Sequence, residues 1–271
     1  MHISMAFWFG LMTGTNLYLC LWLFISMSRL LRIEIGEISL ASGFFPGQAY
    51  TTMLKGTKLV VDYLPITVGV RYLGMLPEDY EGMNEGDKRF ALLHQPKFLQ
   101  LLISAIPIIV IFACTCIAIY LFDSSGRLTE NSATIPAYLS QIFWYGLWLS
   151  PDKSSIHLAA LGNSSLLALL YVFYGIMCVV FLAFVKIMSL EWVEKNRVLQ
   201  IIINTIFFVS FLFFWFRMPW CFASLLSVSW LGILGGIFQY LIAISLLSTL
   251  NVLLLHLFFR NTSGLIYRSA N

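Results

Sequence analysis

Charge is scarce in this chain. Only 11% of its 271 residues are Asp, Glu, Lys or Arg, against 59% that are apolar. A water-soluble domain carries roughly 25% charged and about 45–50% apolar residues. At a mean hydropathy of +0.85, polar groups cannot cover the surface, which excludes an ordinary soluble globule. No Asp or Glu falls inside any long apolar run, which argues against the proton relays and ion paths that intramembrane carboxylates mark. Cysteine is sparse, and Cys20, Cys114, Cys116, Cys178 and Cys221 all lie in apolar segments, where a thiol packs as a small hydrophobe. Cys114 and Cys116 form C-x-C with no second pair to complete a zinc site. Of the four histidines, His2, His94, His157 and His256, only His256 lies in an apolar run, one turn from Arg260. There is no H-E-x-x-H, Ser-His-Asp set, glycine-rich phosphate loop or acidic dyad. No cofactor is implied, and a net charge of +3 is too small to imply nucleic acid.

What the chain does have is long apolar runs. A membrane crossing takes about 20 consecutive apolar residues, and the runs predict spans at 5–28, 98–122, 164–188, 199–217 and 236–259. Gly232, Gly235 and Gly236 divide the last run, so 219–232 reads as a short re-entrant segment. The expected fold is a single, mainly α polytopic membrane domain over 1–271, with about five transmembrane helices and a small membrane-associated sheet after the first. Basic residues favour the cytoplasmic face. Thirteen of them cluster in the 29–97 loop, the turn near 186–197 and the C-terminal tail, against Arg127, Lys153 and Arg217 elsewhere. Five crossings of a cell membrane, N-terminus outside and C-terminus cytoplasmic, put every cluster inside. The first span has no basic region before it and no A-x-A site after it, so it reads as retained.

The loop after the first span is too apolar for a solvated connector. "RIEIGEISL" alternates with period two, the pattern of a strand with one buried face. "TKLVVDYL" and "VGVRYLGM" are rich in Val, Tyr and Leu, with Gly and Pro between as turns. Three or four short strands bury little core alone, so residues 33–76 should lie against the spans or the headgroup region. "PEDYEGMNEGDKR" (77–89) reads as an acidic, solvated linker, and "PAYLSQIFWYGLWLS" (136–150) as a helix in the outer interface. Gly10 and Gly14, and Gly232 and Gly236, form GxxxG pairs that permit close helix approach.

At this point the chain resembles the site-2 proteases, intramembrane zinc metalloproteases in which a zinc-bearing first span leads into a cytoplasmic, membrane-embedded β-hairpin. The family pattern Gly-Thr, seven residues, Pro and an apolar residue is matched by Gly56, Thr57, Pro65 and Ile66. The Gly-Gly-Tyr that should follow is "TVG" here. The Ala-Gly-Pro pattern of the second span keeps Ala105 and Pro107, and the last core span keeps Asn251 without Pro-x-Pro or Asp-Gly. The likeness covers about residues 15–122 and 220–260. It places the two His ligands at Cys20 and Phe24, the Glu at Leu21 and the third ligand near Phe259. None of these can act as the family's residues do, because zinc needs paired imidazoles on one helix face and a carboxylate to activate its water.

The sequence therefore predicts a non-catalytic relative that binds or scaffolds a membrane partner or peptide. The hairpin edge, with Tyr63, Leu64, Pro65, Gly69 and Tyr72, together with Asn251, is the expected contact surface. Gly10, Gly14, Gly232 and Gly236 are the expected helix-packing positions. Partners would be the bilayer and other membrane proteins. A multi-pass structural subunit of a secretion or transport complex, unrelated to proteases, is the alternative.

Overall fold

The computed structural model describes residues 5–41, 48–63, 67–75, 77–123, 134–146, 162–188, 193, 195–213 and 229–261. Its helices are α1 (Met5–Leu31), α2 (Pro77–Glu81), α3 (Glu85–Lys88), α4 (Lys97–Phe122), α5 (Thr134–Gly146), α6 (Gly162–Met188), α7 (Arg197–Leu212) and α8 (Trp230–Asn261). Four strands, β1 (Ile35–Ala41), β2 (Gln48–Leu54), β3 (Thr57–Asp62) and β4 (Thr67–Tyr72), form one mixed sheet in the order β2-β3-β1-β4. Among the described residues, four helical segments are long and apolar enough to cross a membrane: Met5–Leu31, Lys97–Phe122, Ser164–Phe184 and Leu231–Arg260. A shorter apolar helix spans Arg197–Ser210. Two compact units result, Met1–Val110 with Gln239–Asn271, and Ile111–Phe238.

In the first unit α1 and α8 pack side by side in parallel. Their contacts advance together along both helices: Phe9 with Tyr240, Trp22 with Asn251, Arg29 with Phe258. Glycine makes this approach possible. A methyl on Gly10 would sit 2.8 Å from the Tyr240 carbonyl oxygen and 2.9 Å from Ala243 Cβ, and one on Gly14 would sit 2.7 Å from Leu247 Cδ1. Further along, Trp22 Nε1 donates to Asn251 Oδ1 at 2.8 Å, and Asn251 Nδ2 donates to the Leu247 carbonyl at 2.8 Å. Among apolar surroundings, both polar side chains thereby find partners instead of bearing a desolvation cost.

The sheet hangs from the C-terminal ends of this pair. Strands β1 and β3 are central, pair in parallel (Ile38 with Leu59, Leu40 with Val61), and bury Ile38, Leu40 and Leu59 completely. The alternation of β1 changes phase at a bulge between Ile35 and Glu37, so Ile33 and Ile35 and then Ile38 and Leu40 all reach the core. β2 and β3 form a tight hairpin through Lys55 and Gly56, at φ 48° and 89°. Two successive positive φ values are the type I′ turn, whose twist matches that of the strands. That turn explains Gly56. Thr57 is accounted for by its hydroxyl, which donates to the Ile35 carbonyl at 2.9 Å. β2 itself is a strand that alternation does not reveal, because "QAYTTML" is polar at its centre and mostly exposed.

In the second unit α6 runs antiparallel to α4. Ser165 Oγ donates to Asp123 Oδ1 at 3.0 Å at one end, and a methyl on Gly175 would lie 2.9 Å from Thr115 Oγ1. α7 is capped by Asn196, whose side chain accepts from the Leu199 N–H at 3.2 Å, and its Phe207 meets Phe181 and Phe184 of α6 at ring separations of 5.1 and 5.6 Å.

One expectation is corrected here. The sequence divides the last apolar run at Gly232, Gly235 and Gly236, but α8 is unbroken from Trp230 through all three. Each glycine costs a helix about 1 kcal/mol relative to Ala, which apolar neighbours over 32 residues outweigh. Nor do the second GxxxG residues resemble the first in their surroundings: Gly232 is exposed and Gly236 half-buried, whereas Gly10 and Gly14 are buried. Residues 147–150, 214–217 and 219–228, on which parts of the expected interfacial, fourth-span and re-entrant segments fall, lie outside the described residues.

Gly10→Leu should lower the thermal midpoint of detergent-purified protein sharply. Its Cβ meets backbone, which no rotamer change relieves, and overpacking of this kind costs about 1–3 kcal/mol. Gly86→Ala, where a methyl would meet nothing within 4 Å, should be neutral in the same assay.

Candidate functional site

The chemistry-bearing side chains of the first unit gather where the sheet meets the ends of α1 and α8. Tyr72, 3% exposed, closes β4 onto α1: its hydroxyl donates to the Phe24 carbonyl at 3.1 Å and its ring meets Phe24 edge-on at 6.3 Å. Burial pushes the Tyr72 phenol well above the ordinary tyrosine range. On the other side of the sheet, β2 reaches α8. Tyr50 lies 3.2 Å from His256 Nε2, while His256 Nδ1 is 2.8 Å from the Val252 carbonyl. A carbonyl only accepts, so Nδ1 carries a proton, and in the neutral ring Nε2 accepts from the Tyr50 hydroxyl. Lys55 Nζ donates to the Arg260 carbonyl at 3.3 Å. His256 is thus a strut between sheet and helix.

Between these two attachments lies a hydrocarbon core. Leu21 (0% exposed) and Phe259 (4%) belong to one buried cluster with Tyr18, Ile25, Ile38, Leu59 and Leu255, and Phe24 packs against it. These are three of the four positions at which the resemblance puts zinc chemistry. They converge, and they converge as hydrocarbon. Among the described residues no group of three His, Cys, Asp or Glu side chains is placed to hold a metal ion.

Beside that core, at the α1–β1 corner, is a cavity of about 50 Å³ whose lining includes Ser28, Arg29, Arg32, Glu34, Thr57 and Phe90. The Arg29 guanidinium stacks 3.5 Å from the Phe258 ring centre. Arg32 sits at φ +56°. The Ile33 N–H donates to the Ser28 carbonyl at 2.8 Å and the Arg32 N–H to the Arg29 carbonyl at 3.3 Å. That bond pair is the Schellman ending of a helix, whose left-handed position is usually glycine. An L-residue there costs roughly 1–2 kcal/mol. Arginine in that place is not foreseeable from sequence spacing alone.

The expected contact residues separate into different classes. Tyr63 is 71% exposed. Leu64 and Pro65 lie outside the described residues. Gly69 faces Ser39 across the β1–β4 ladder, where a methyl would come within 2.5 Å of Ser39 Oγ. Tyr72 and Asn251 are interior residues that join elements of this chain to each other, and this corrects their expected exposure to a partner. Of the helix-packing set, Gly10 and Gly14 touch the facing helix. Residues 77–95 pack over the end of β4: Arg71 bonds Asp79 at 2.6 Å, and Gly74, at φ +58°, lies against Ala91. The Leu92 N–H donates to the Leu73 carbonyl at 3.0 Å. No protein-family model and no curated protein matches the chain.

Because the Tyr72 phenol is raised from 10.0 in the folded protein, its contribution to stability is full below pH 10.0 and is lost as pH rises from there toward the folded value. Tyr72→Phe should cost about 1 kcal/mol at neutral pH. The gap between wild type and variant in thermal midpoint should narrow once the pH exceeds 10.0. A gap that widened above that pH would show the sign to be wrong.

Proposed function

We propose that this chain is a five-crossing membrane protein, N-terminus outside and C-terminus cytoplasmic in a cell membrane, that holds an extended segment of a membrane partner on its sheet without cutting it. The fifth crossing follows from direction. If α1 ends on the cytoplasmic face and α8 runs parallel to it, an odd number of crossings must lie between them. α4 and α6 supply two, so the third falls to the segment opened by α7, although its 16 described residues are short for a span. The same arrangement puts Arg29, Arg32, Lys55, Lys58 and Arg260 on one face, as the positive-inside tendency requires.

The observation that carries the binding role is an edge strand rooted on a membrane helix. β4 is the outermost strand on its side, it pairs only with β1 among the described residues, and Tyr72 anchors it to α1. Its Thr67 and Arg71 are exposed. Unpaired backbone along an edge recruits a further strand. The opposite edge, β2, is blunted by a bulge between Gln48 and Tyr50 and tied to α8 by Tyr50 and Lys55. On the reading of the chain as a site-2-protease-like protein, the hydrocarbon at Leu21, Phe24 and Phe259 goes with binding without hydrolysis.

A photo-crosslinking side chain at Thr67 should capture a membrane protein in cells, while the same group at the exposed Thr51 of β2 should not. Capture from Thr51 alone, or from neither, would remove the edge-binding role. Metal analysis of the purified protein should find zinc only far below one per chain, and stoichiometric zinc would return hydrolysis to consideration.

A further inference from the structure

We propose that α7 pairs with the α7 of a second copy of this chain, along a seam centred on Asn204. This interface rests on α7 lying in the membrane, as proposed above, and goes beyond the binding role of β4, which does not call for it. α7 meets α6 through Phe207, and the residues in line with it, Ile203 and Ser210, are half-buried. The neighbouring side of the helix is bare. Ile201 and Phe208 are each 59% exposed and Leu212 41%, and Asn204 stands exposed between them. From Ile201 to Asn204 to Phe208 the steps are three and then four residues. Such steps keep side chains on one side of a helix, and they are the spacing of the seam along which two helices pair.

Asn204 decides what covers that side. It lies two turns past Arg197, about 10 Å along the helix axis, and with Arg197 at the cytoplasmic boundary that depth is already hydrocarbon. An exposed carboxamide there has no water to bond, and an unmet amide in hydrocarbon is costly. Its neighbour Thr205 returns its hydroxyl to the Ile201 carbonyl at 2.8 Å, and Asn251 of α8 is held by Trp22 and the Leu247 carbonyl. Asn204 has no hydrogen-bond partner among the described residues. A carboxamide is electrostatically complementary to itself, because Nδ2 donates and Oδ1 accepts. Copies in one membrane share one orientation, so two α7 helices pair in parallel about a twofold axis normal to the bilayer, and equal residues come level. The two Asn204 side chains then bond each other, with Ile201 and Phe208 closing over them. A single Asn at such a seam fixes register and partner number. About a third of a turn round the helix, Ile202 and Val209 are 49% and 59% exposed and are left to lipid.

The test uses the full chain, labelled with a fluorophore and reconstituted in phosphatidylcholine vesicles over a series of protein-to-lipid ratios. Two-step photobleaching should dominate at high protein density and give way to single steps on dilution. Asn204→Leu should weaken association roughly tenfold, the scale of a hydrogen-bonded side-chain pair between helices in hydrocarbon. Asn204→Gln, which keeps a carboxamide, should recover most of that loss. A second measurement uses cysteine cross-linking in native membranes, in a background with the native cysteines replaced. Under mild oxidation Phe208→Cys should form a disulfide between two copies, and Val209→Cys should not. A wild type that stays monomeric at every ratio, an Asn204→Leu protein that associates like wild type, or equal cross-linking at both positions would overturn the interface. So would a Phe208→Cys disulfide to a different protein in place of a second copy. Alkaline carbonate washing separates the two levels of failure: protein released from membranes overturns the membrane reading itself, whereas embedded protein that stays monomeric overturns this interface alone.

Discussion

Everything in the first unit depends on the contact between α1 and α8. Between apolar helices there is little hydrophobic drive once both are surrounded by hydrocarbon, so association falls to close van der Waals packing and buried hydrogen bonds. Gly10 and Gly14 supply the first by letting the helices touch at the Tyr240 backbone and at Leu247. Trp22 and Asn251 supply the second. The contact is also directional: parallel packing places both C-terminal ends together, and those ends form the platform on which the sheet is built.

A four-stranded sheet of six- and seven-residue strands needs a hydrophobic face packed against a further layer. This one completes its core with Leu21, Ile25, Leu255 and Phe259 from the two helices. Tyr72 clamps one side of the sheet to α1, and the Tyr50–His256 bond clamps the other to α8. The two clamps leave the β4 edge in a fixed relation to α1, which is the geometry an edge-binding role needs. The place where the resemblance would put a metal is close-packed with aliphatic and aromatic side chains. Substituting ligands there singly would set isolated polar groups in hydrocarbon, a cost that hydrogen-bonded or metal-bound groups avoid.

The sequence displayed much of this. Period-two alternation marks β1, the Val-rich runs mark β3 and β4, and Gly10 with Gly14 announces a close helix contact. The parts it concealed were hidden for identifiable reasons. β2 escapes because its polar, exposed centre lacks alternation. The sequence suggests a break in α8 at Gly232–Gly236 because glycine is a poor helix former, yet propensity is a weak term that the context of a long apolar helix overrides. Tyr72 and Asn251 read from sequence as partner-facing because Phe24 and Trp22, which they bond, lie 48 and 229 residues away along the chain. Long-range pairing of this kind leaves no local pattern. The left-handed Arg32 is likewise invisible, since the sequence offers arginine where the backbone suits glycine.

The central claim is that α1 and α8 cross the bilayer in the same direction and jointly carry the sheet. Single cysteines at Leu30, near the end of α1, and at Ser229, just before α8, placed in a background with the native cysteines replaced, report this directly. Labelled in intact cells with a membrane-impermeant thiol reagent, Ser229→Cys should react from the outside, while Leu30→Cys should react only after the cytoplasmic face is opened. Reaction of both positions from the same face would mean that the two helices run in opposite directions, and the account would be contradicted.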